Sequence, residues 1–272
     1  MRLLEQTLCM PGRIAVFILT LALACTATPS GTSATTPPPA RSEPAATASI
    51  TPPGGPAAAA CPAIRQISLG TISGKFGYPS EASPPLALIA MRADDPKVFR
   101  ILHTPRLPGG ALSPYTIGAI EPGMYVVLAY VEGSGDGLAG AYTPAVACGL
   151  RAECTDHSLI RVAVTGGQTA SAVDILDWYA PAGIFPKRPA GTEPLRAGDT
   201  MAVCNPYADS ANMRASAGLG FPVRRTLDNG ARVIVRDGPL GADGYDWYEV
   251  NLAGDQLASG WVVAYSLRKM TP

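Results

Sequence analysis

The 272-residue sequence lacks an excess of charge of either sign, with 21 Lys and Arg against 21 Asp and Glu. Charged residues make up only 15% of the chain. A balanced charge creates no single-sign field of the kind that attracts nucleic acid, so we expect no nucleic-acid partner. Sparse charge combined with 29 Gly and 27 Pro favours β-structure joined by turns, together with a disordered segment.

The chain also lacks the motifs that mark common enzyme classes. It has no P-loop, no dinucleotide fingerprint, no Gly-x-Ser-x-Gly elbow and no His-Glu-x-x-His zinc motif. Its only two histidines, His103 and His157, have no Ser or Cys nucleophile motif beside them. We therefore expect no catalytic residue, no metal and no cofactor. Because paired carboxylates can converge in space, an envelope hydrolase with its site in the N-terminal β-domain stays the alternative.

Residues 1–24 have the pattern of an export signal. Two arginines precede the apolar stretch Ile14–Ala24, which is too short to span a bilayer and ends at Cys25. Two processing routes are open. The small residues before Cys25 suit an ordinary signal peptidase, which gives a secreted protein. They also resemble a bacterial lipobox, in which Cys25 carries the lipid.

The number of cysteines favours lipidation of Cys25. The exported chain keeps five cysteines, an odd number in an oxidising compartment, and lipidation leaves four that can pair. Cys148 and Cys154 bracket a short loop, so we expect a disulfide between them. By elimination Cys61 and Cys204 can form a second pair, but only if the starts of the two folded domains meet. The expected location is extracytoplasmic, on the membrane through lipidated Cys25.

Composition divides the rest of the chain into four segments. Residues 25–60 are almost entirely Pro, Ala, Ser, Thr and Gly, which predicts a disordered linker. Residues 61–183 carry short apolar runs every 10 to 15 residues between Gly and Pro breakers, a pattern typical of a β-sandwich. Residues 184–198 are predicted to be a second linker, and 199–272 a small barrel.

Two motifs of the first domain support a more specific expectation. Gly70–Phe76 and Tyr115–Val127 resemble strands of the carboxypeptidase-regulatory-like and collagen-adhesin B-type families, which share a prealbumin-like fold. Pro122-Gly123 is predicted to form the tight turn of a hairpin. The side chains expected to point inward are Ile117, Ile120, Tyr125 and Val127. The resemblance implies a passive spacer or a binding module.

The last part of the chain has the pattern of a small β-barrel. Runs rich in Val, Ile, Trp and Tyr alternate with Gly, Asn and Asp, including a Gly-rich loop over 237–244, and no window has a helical period. Four ordered motifs resemble the bacterial SH3-like family: Asn212–Arg214, Leu227–Val235, Trp247–Val250 and Gly260–Val262. The resemblance implies a non-catalytic module that binds a cell-wall peptide or glycan, or an envelope protein.

Strand alternation suggests where such a ligand would bind. Tyr248 and Val250 share one face and are predicted to lie in the core, which places Trp247 on the outer face. Tyr245 would extend the same aromatic platform, so Tyr245 and Trp247 are the predicted ligand-binding residues. In the alternative, Trp247 covers the open end of the barrel as a lid. Trp261 is predicted to pack inside.

Taken together, the sequence predicts an all-β protein: a prealbumin-like β-sandwich followed by a small SH3-like β-barrel, preceded by a signal peptide and a disordered linker. The predicted role is non-catalytic binding or scaffolding in the cell envelope. The alternatives are the envelope hydrolase and a purely structural surface spacer.

Overall fold

The computed structural model describes residues 61–108, 112–134 and 138–270. The predicted signal peptide (1–24) and linker (25–60), with Cys25, lie outside these residues. The described part contains seventeen β-strands, one five-residue α-helix and one 3₁₀ helix, so the all-β prediction is confirmed. In the same part, no helix is long and apolar enough to cross a membrane.

Ten strands and the helix form what we call the two-sheet module. In chain order these elements are β1 (Gly70–Phe76), β2 (Ala82–Ser83), β3 (Leu86–Arg92), β4 (Phe99–Thr104), β5 (Leu107–Pro108), β6 (Ser113–Ile120), β7 (Gly123–Val131), β8 (Ala139–Ala141), α1 (Pro144–Cys148), β9 (Val162–Val164) and β10 (Thr169–Ala170). One sheet has the order β10-β1-β6, the other the order β4-β3-β7-β8 with β9 against β7, and β2 pairs with β5.

The two larger sheets share one hydrophobic core. Ile72 and Ile117 from the first sheet pack in the same cluster as Leu88 and Val127 from the second. Residues 86–91 of β3 are all apolar because both faces of the strand are covered. The alternate residue Ile89 lies in a separate cluster on the far side.

The turn at Pro122-Gly123 differs from the predicted hairpin. Strand β6 pairs with β1, whereas β7 pairs with β3, so the turn carries the chain from one sheet to the other. The inward positions are nevertheless confirmed, because the four side chains are at most 1% exposed: Ile117, Ile120, Tyr125 and Val127. The motif indicated which side chains point inward, whereas the strand pairing depends on long-range contacts that the motif does not contain.

The remaining seven strands form a second, curled sheet, the C-terminal sheet. They are β11 (Thr200–Val203), β12 (Ser210–Arg214), β13 (Val223–Asp228), β14 (Arg232–Ala242), β15 (Tyr245–Leu252), β16 (Asp255–Val263) and β17 (Leu267–Lys269), with the 3₁₀ helix Ala264–Ser266 before β17. Their order is β13-β12-β16-β15-β14-β11-β17. Tyr248 and Val250 lie in its core cluster, as alternation predicted.

The Gly-rich segment 237–244 is not a loop. Strand β14 continues to Ala242 and pairs with β15 from Tyr245 onward, with register shifts on either side of Asp237. The hairpin closes at Asp243 and Gly244, whose φ values of 51° and 80° suit a two-residue turn between strands. The glycines therefore belong to a projecting β-arm, which we call the β14–β15 arm.

The segment 184–198, predicted as a linker, has no helix or strand. It is hydrogen-bonded to both the two-sheet module and the C-terminal sheet. The Tyr130 hydroxyl donates to the carbonyl of Pro186 at 2.9 Å, and the Leu195 amide donates to the Tyr248 hydroxyl at 3.1 Å. All described residues fall within one compact unit.

Both predicted disulfides are present. The Cα atoms of Cys148 and Cys154 are 5.8 Å apart, and those of Cys61 and Cys204 are 5.2 Å apart. The second bond spans 143 positions and ties the start of the two-sheet module to the end of β11. Close by, the Arg65 amide donates to the carbonyl of Pro206 at 2.8 Å.

Candidate functional site

The β14–β15 arm docks on β4 and β6 of the two-sheet module, and we call this contact the seam. The Gly118 amide donates to the carbonyl of Gly244 at 2.9 Å. A Cβ on Gly118 would lie 2.9 Å from the ring of Tyr245, and one on Gly244 would lie 3.1 Å from the methyl of Thr116. Glycine at both positions therefore allows the two backbones to approach this closely.

A buried charged cluster lies at the centre of the seam. His103 Nδ1 is 2.5 Å from a carboxylate oxygen of Asp246, whose other oxygen accepts the His103 amide at 2.9 Å. His103 Nε2 is 3.0 Å from the carbonyl of Thr192 and 3.3 Å from Glu132. Arg188 closes the cluster with two hydrogen bonds to Glu132, at 2.8 and 2.9 Å.

The cluster suits a protonated His103. Both of its ring nitrogens face acceptors, and only the doubly protonated imidazolium donates from both. Burial opposes this charge, but the hydrogen bond to Asp246 and the charges of Asp246 and Glu132 outweigh burial, so the pKa of His103 is raised. The cation thus joins the two-sheet module, the 184–198 segment and the C-terminal sheet.

Beside this cluster, three tyrosines form a row: Tyr245 on β15, Tyr265 in the 3₁₀ helix and Tyr207 between β11 and β12. The ring centroids of Tyr207 and Tyr265 are 5.9 Å apart, and so are those of Tyr265 and Tyr245. The guanidinium of Arg100, from β4, lies 5.8 Å from the centroids of both Tyr207 and Tyr265, a cation–π arrangement. Burial raises the pKa of each tyrosine, so all three phenols stay neutral at physiological pH.

The row borders a cavity of about 200 Å³ that opens at the seam, which we call the seam cavity. The two-sheet module contributes Arg100, the 184–198 segment contributes Thr192 and Glu193, and the C-terminal sheet contributes Tyr245, Tyr265 and Arg268. Three separate parts of the chain therefore build one concave site that contains aromatic faces and both signs of charge.

Behind the arginine, Glu121 at the Pro-Gly turn fixes the outer edge of the seam. Arg65 Nη1 lies 2.8 and 2.9 Å from its two carboxylate oxygens, and the Tyr207 hydroxyl donates to it at 3.1 Å. Arg100 donates to the carbonyl of Ala119 at 2.9 Å and to the Tyr207 hydroxyl. These bonds hold Arg100 in place at one wall of the cavity, with Tyr207 behind it.

A second, more open groove of about 1020 Å³ lies on the other side of the seam. His103 and Gly244 line both spaces, and the groove continues along apolar residues such as Leu107, Tyr115 and Leu240. The seam cavity is the stronger candidate because its polar groups converge on a smaller, more enclosed volume.

Residues 209–268 match the family model described as Bacterial SH3 domain. Residues 209–268, from the residue before β12 into β17, form a bacterial SH3 domain. No curated protein and no solved structure matched the chain. The resemblance of the two-sheet module to the carboxypeptidase-regulatory-like and collagen-adhesin B-type families stays a prediction. The SH3 domain together with the two disulfides indicates an extracytoplasmic protein.

The structure separates the two residues of the predicted aromatic platform, Tyr245 and Trp247. Tyr245 is half-buried and lines the seam cavity. Trp247 and the core residue Tyr248 point to opposite faces of β15, as expected, but Trp247 is only 1% exposed. Its indole N–H donates to the carbonyl of Ala242 at 3.0 Å, so the ring lies along its own β-arm and offers no face to a ligand.

Trp261 was predicted inside the SH3 domain and lies on its outer face. The neighbouring Val262 takes the core position and is fully buried, whereas Trp261 is half-buried. Trp261 stands between Arg214 on β12 and Glu249 on β15, its cross-strand partners. The flanking apolar residues suggested a buried strand, but alternation allows only every second side chain to enter the core.

His157, the other histidine, pairs with Asp177 rather than with its neighbour Asp156. Its Nδ1 is 2.7 Å from a carboxylate oxygen of Asp177, which also accepts the Thr143 hydroxyl at 2.7 Å. Asp177 is fully buried. Among the described residues, no Ser, Thr or Cys side chain is hydrogen-bonded to His157. This pair holds the chain after the Cys148–Cys154 loop against the end of the module.

Sequence reasoning missed most of the seam cavity. Arg100, Glu193 and Arg268 are separated by up to 168 positions, and no short motif links them. Tyr265 lies outside the period-2 pattern that located Tyr245, because it belongs to the 3₁₀ helix.

Proposed function

We propose that this is an exported envelope protein whose SH3 domain and two-sheet module act together as one non-catalytic binding unit for a cell-wall component. The observation that carries the proposal is the seam cavity, where a domain of a commonly wall-binding family presents two tyrosine rings beside groups from the rest of the chain. The ligand would be held at Tyr245 and Tyr265.

The chemistry of the seam cavity fits wall sugars and peptides. Flat tyrosine rings stack on the apolar faces of such groups, each contact contributing about 1 kcal/mol. Their neutral hydroxyls donate and accept hydrogen bonds. The buried cluster at His103 and Asp246 fixes the SH3 domain on the module, so the walls of the cavity are set before a ligand arrives, which lowers the entropy cost of binding.

Anchoring belongs to the same proposal. A lipid on Cys25 would hold the protein at the membrane, with 25–60 as the tether to the folded unit. Cys25→Ser should release the protein into the medium or leave it unprocessed. A mature N-terminus elsewhere, or an unchanged membrane fraction for the variant, would contradict lipidation and favour the secreted alternative.

The binding role is tested by co-sedimentation of the purified protein with isolated cell wall. Wild type should sediment, and Tyr245→Ala and Tyr265→Ala should each weaken binding several-fold without loss of the folded state. Leu257→Ala is the matched control, because Leu257 is 96% exposed on β16 of the same domain. Wild-type protein that stays in the supernatant would overturn the proposal and favour a structural spacer. Release of wall fragments during incubation would favour the hydrolase.

A further inference from the structure

Two opposite charges in the seam cavity have no partner in the described residues. Glu193 and Arg268 both line the cavity, and neither side chain forms a hydrogen bond or an ion pair with another residue in this part of the chain, including with each other. The other charged groups nearby are paired. Asp246 bonds to His103, and Arg100 donates to Tyr207 and to backbone carbonyls.

The surroundings of Arg268 favour an incoming anion. Arg268 and Arg100 both line the seam cavity. Partial burial, followed by the positive charge of Arg100, lowers the pKa of Arg268, and Arg65 has a smaller effect in the same direction. A carboxylate between Arg268 and Arg100 would offset the repulsion between the two positive charges, and the guanidinium fork matches the two oxygens of a carboxylate.

The surroundings of Glu193 favour a cation at the other end. Glu193 is exposed at the mouth of the cavity, and Asp246, the other carboxylate of the lining, is already neutralised by His103. An ammonium group at Glu193 would gain an ion pair that the protein itself does not supply. The same carboxylate disfavours a doubly charged phosphate, because repulsion grows with the charge of the ligand.

Size limits the ligand further. At about 200 Å³, the cavity is smaller than the roughly 300–1,000 Å³ of typical sites for drug-sized molecules. It therefore suits a fragment of one or two amino-acid residues. Tyr245 and Tyr265 provide the apolar surface that such a fragment would cover.

We propose that the seam cavity binds a small zwitterion, a peptide of one or two residues that carries both a free carboxylate and a free amine. Arg268 and Arg100 hold the carboxylate, Glu193 holds the ammonium, and the two tyrosines pack on the part between. This inference rests on the proposed function and narrows it, since the wall ligand would then be a peptide and not a glycan.

The test is an NMR titration of the labelled protein with the dipeptide alanyl-alanine, in its L,L and D,D forms. The amide signals of Gly118 and Gly244 should shift at millimolar concentrations for at least one form. Capping the carboxylate as an amide, or the amine as an acetamide, should weaken binding about tenfold, the loss expected for one charged pair. No shift with either uncapped form would overturn the proposal.

Substitutions connect each charge to one end of the probe. Arg268→Gln should weaken binding of the free dipeptide about tenfold but leave the amide-capped form unchanged. Glu193→Gln should weaken binding of the free dipeptide about tenfold but leave binding of the N-acetylated form unchanged. Arg225→Gln, an exposed arginine on β13, is the matched control and should have no effect. Equal losses for capped and free probes would contradict the assignment of the charges.

Failure here can be distinguished from failure of the wall-binding role. If the protein sediments with cell wall but alanyl-alanine neither shifts the seam signals nor competes, the peptide inference is wrong and wall binding stands. If wild type does not sediment with wall, the proposed function fails whatever the dipeptide does.

Discussion

His103 and Asp246 are 143 positions apart in the chain and join at an Nδ1 to Oδ2 distance of 2.5 Å. The same carboxylate also accepts the His103 amide. Through this pair the SH3 domain is fixed to the two-sheet module at the point where the seam cavity and the larger groove meet. Stability and binding therefore depend on the same contact.

The raised pKa of His103 predicts how stability changes with pH. Because the folded pKa lies above the ordinary value of 6.5, the contribution of the cation is complete below that pH and is lost as pH rises through the folded pKa. His103→Gln should lower the free energy of unfolding by about 1.5–3 kcal/mol at pH 6 and flatten the decline above pH 6.5. Denaturant unfolding at a series of pH values checks this. An equal decline in wild type and variant would contradict it.

Gly118 is predicted to control the shape of the seam cavity. A methyl group there would lie 2.9 Å from the Tyr245 ring, too close for an undisturbed contact. Gly118→Ala should therefore displace Tyr245 and weaken wall binding. Gly220→Ala is the matched control, because nothing lies within 4 Å of the added Cβ. Tyrosine ring signals in NMR spectra and co-sedimentation report the two effects, and identical behaviour of the two variants would count against the described seam.

The two disulfides should differ in their contribution to stability. Cross-linking residues that are 143 positions apart restricts the unfolded chain far more than a separation of 6. On a chain-entropy model the losses are about 5 kcal/mol for removal of Cys61–Cys204 and about 2 kcal/mol for Cys148–Cys154. Paired Cys→Ser variants, compared by urea unfolding, check this order. Equal losses, or the reverse order, would show that native-state effects dominate.

The structure reverses the expected roles of two tryptophans: Trp247 should stabilise the fold, whereas Trp261 should contribute little to stability. Trp247→Ala should destabilise the SH3 domain by about 3–5 kcal/mol, because it removes a buried ring and its hydrogen bond to Ala242. Trp261→Ala should cost about 1 kcal/mol, since the ring is half-buried on the outer face. Thermal unfolding of both variants distinguishes them, and greater damage from Trp261→Ala would reverse the assignment.

Period-2 alternation explains how much of the fold could be predicted. It placed Tyr248 and Val250 in the core of the C-terminal sheet correctly. The inward positions of Ile117, Ile120, Tyr125 and Val127 came from the motif around Pro122-Gly123, and they are correct too. Alternation concerns only one strand at a time, however. It could not show that the Pro122-Gly123 turn joins different sheets, because strand pairing depends on residues far away in the chain.

Of the residues that line the seam cavity, the sequence named Tyr245 alone as a predicted ligand-binding residue. Tyr245 was named because it lies two positions before Trp247, next to the Gly-rich segment. The glycines of the β14–β15 arm suggested a loop, whereas the structure uses the Asp243-Gly244 turn to project a paired arm that docks on β4 and β6. Arg100, Glu193 and Arg268 meet only after that docking, so no local pattern contains them.

The central claim is that the ligand binds in the seam cavity and not on the outer face of the SH3 domain. NMR spectra of the labelled protein, recorded with soluble fragments of digested cell wall, test it most directly. Binding in the seam cavity should shift the amide signals of Gly118, Gly191 and Gly244, since these residues line the cavity. Shifts confined to Arg214, Glu249 and Trp261 on the outer face would contradict it.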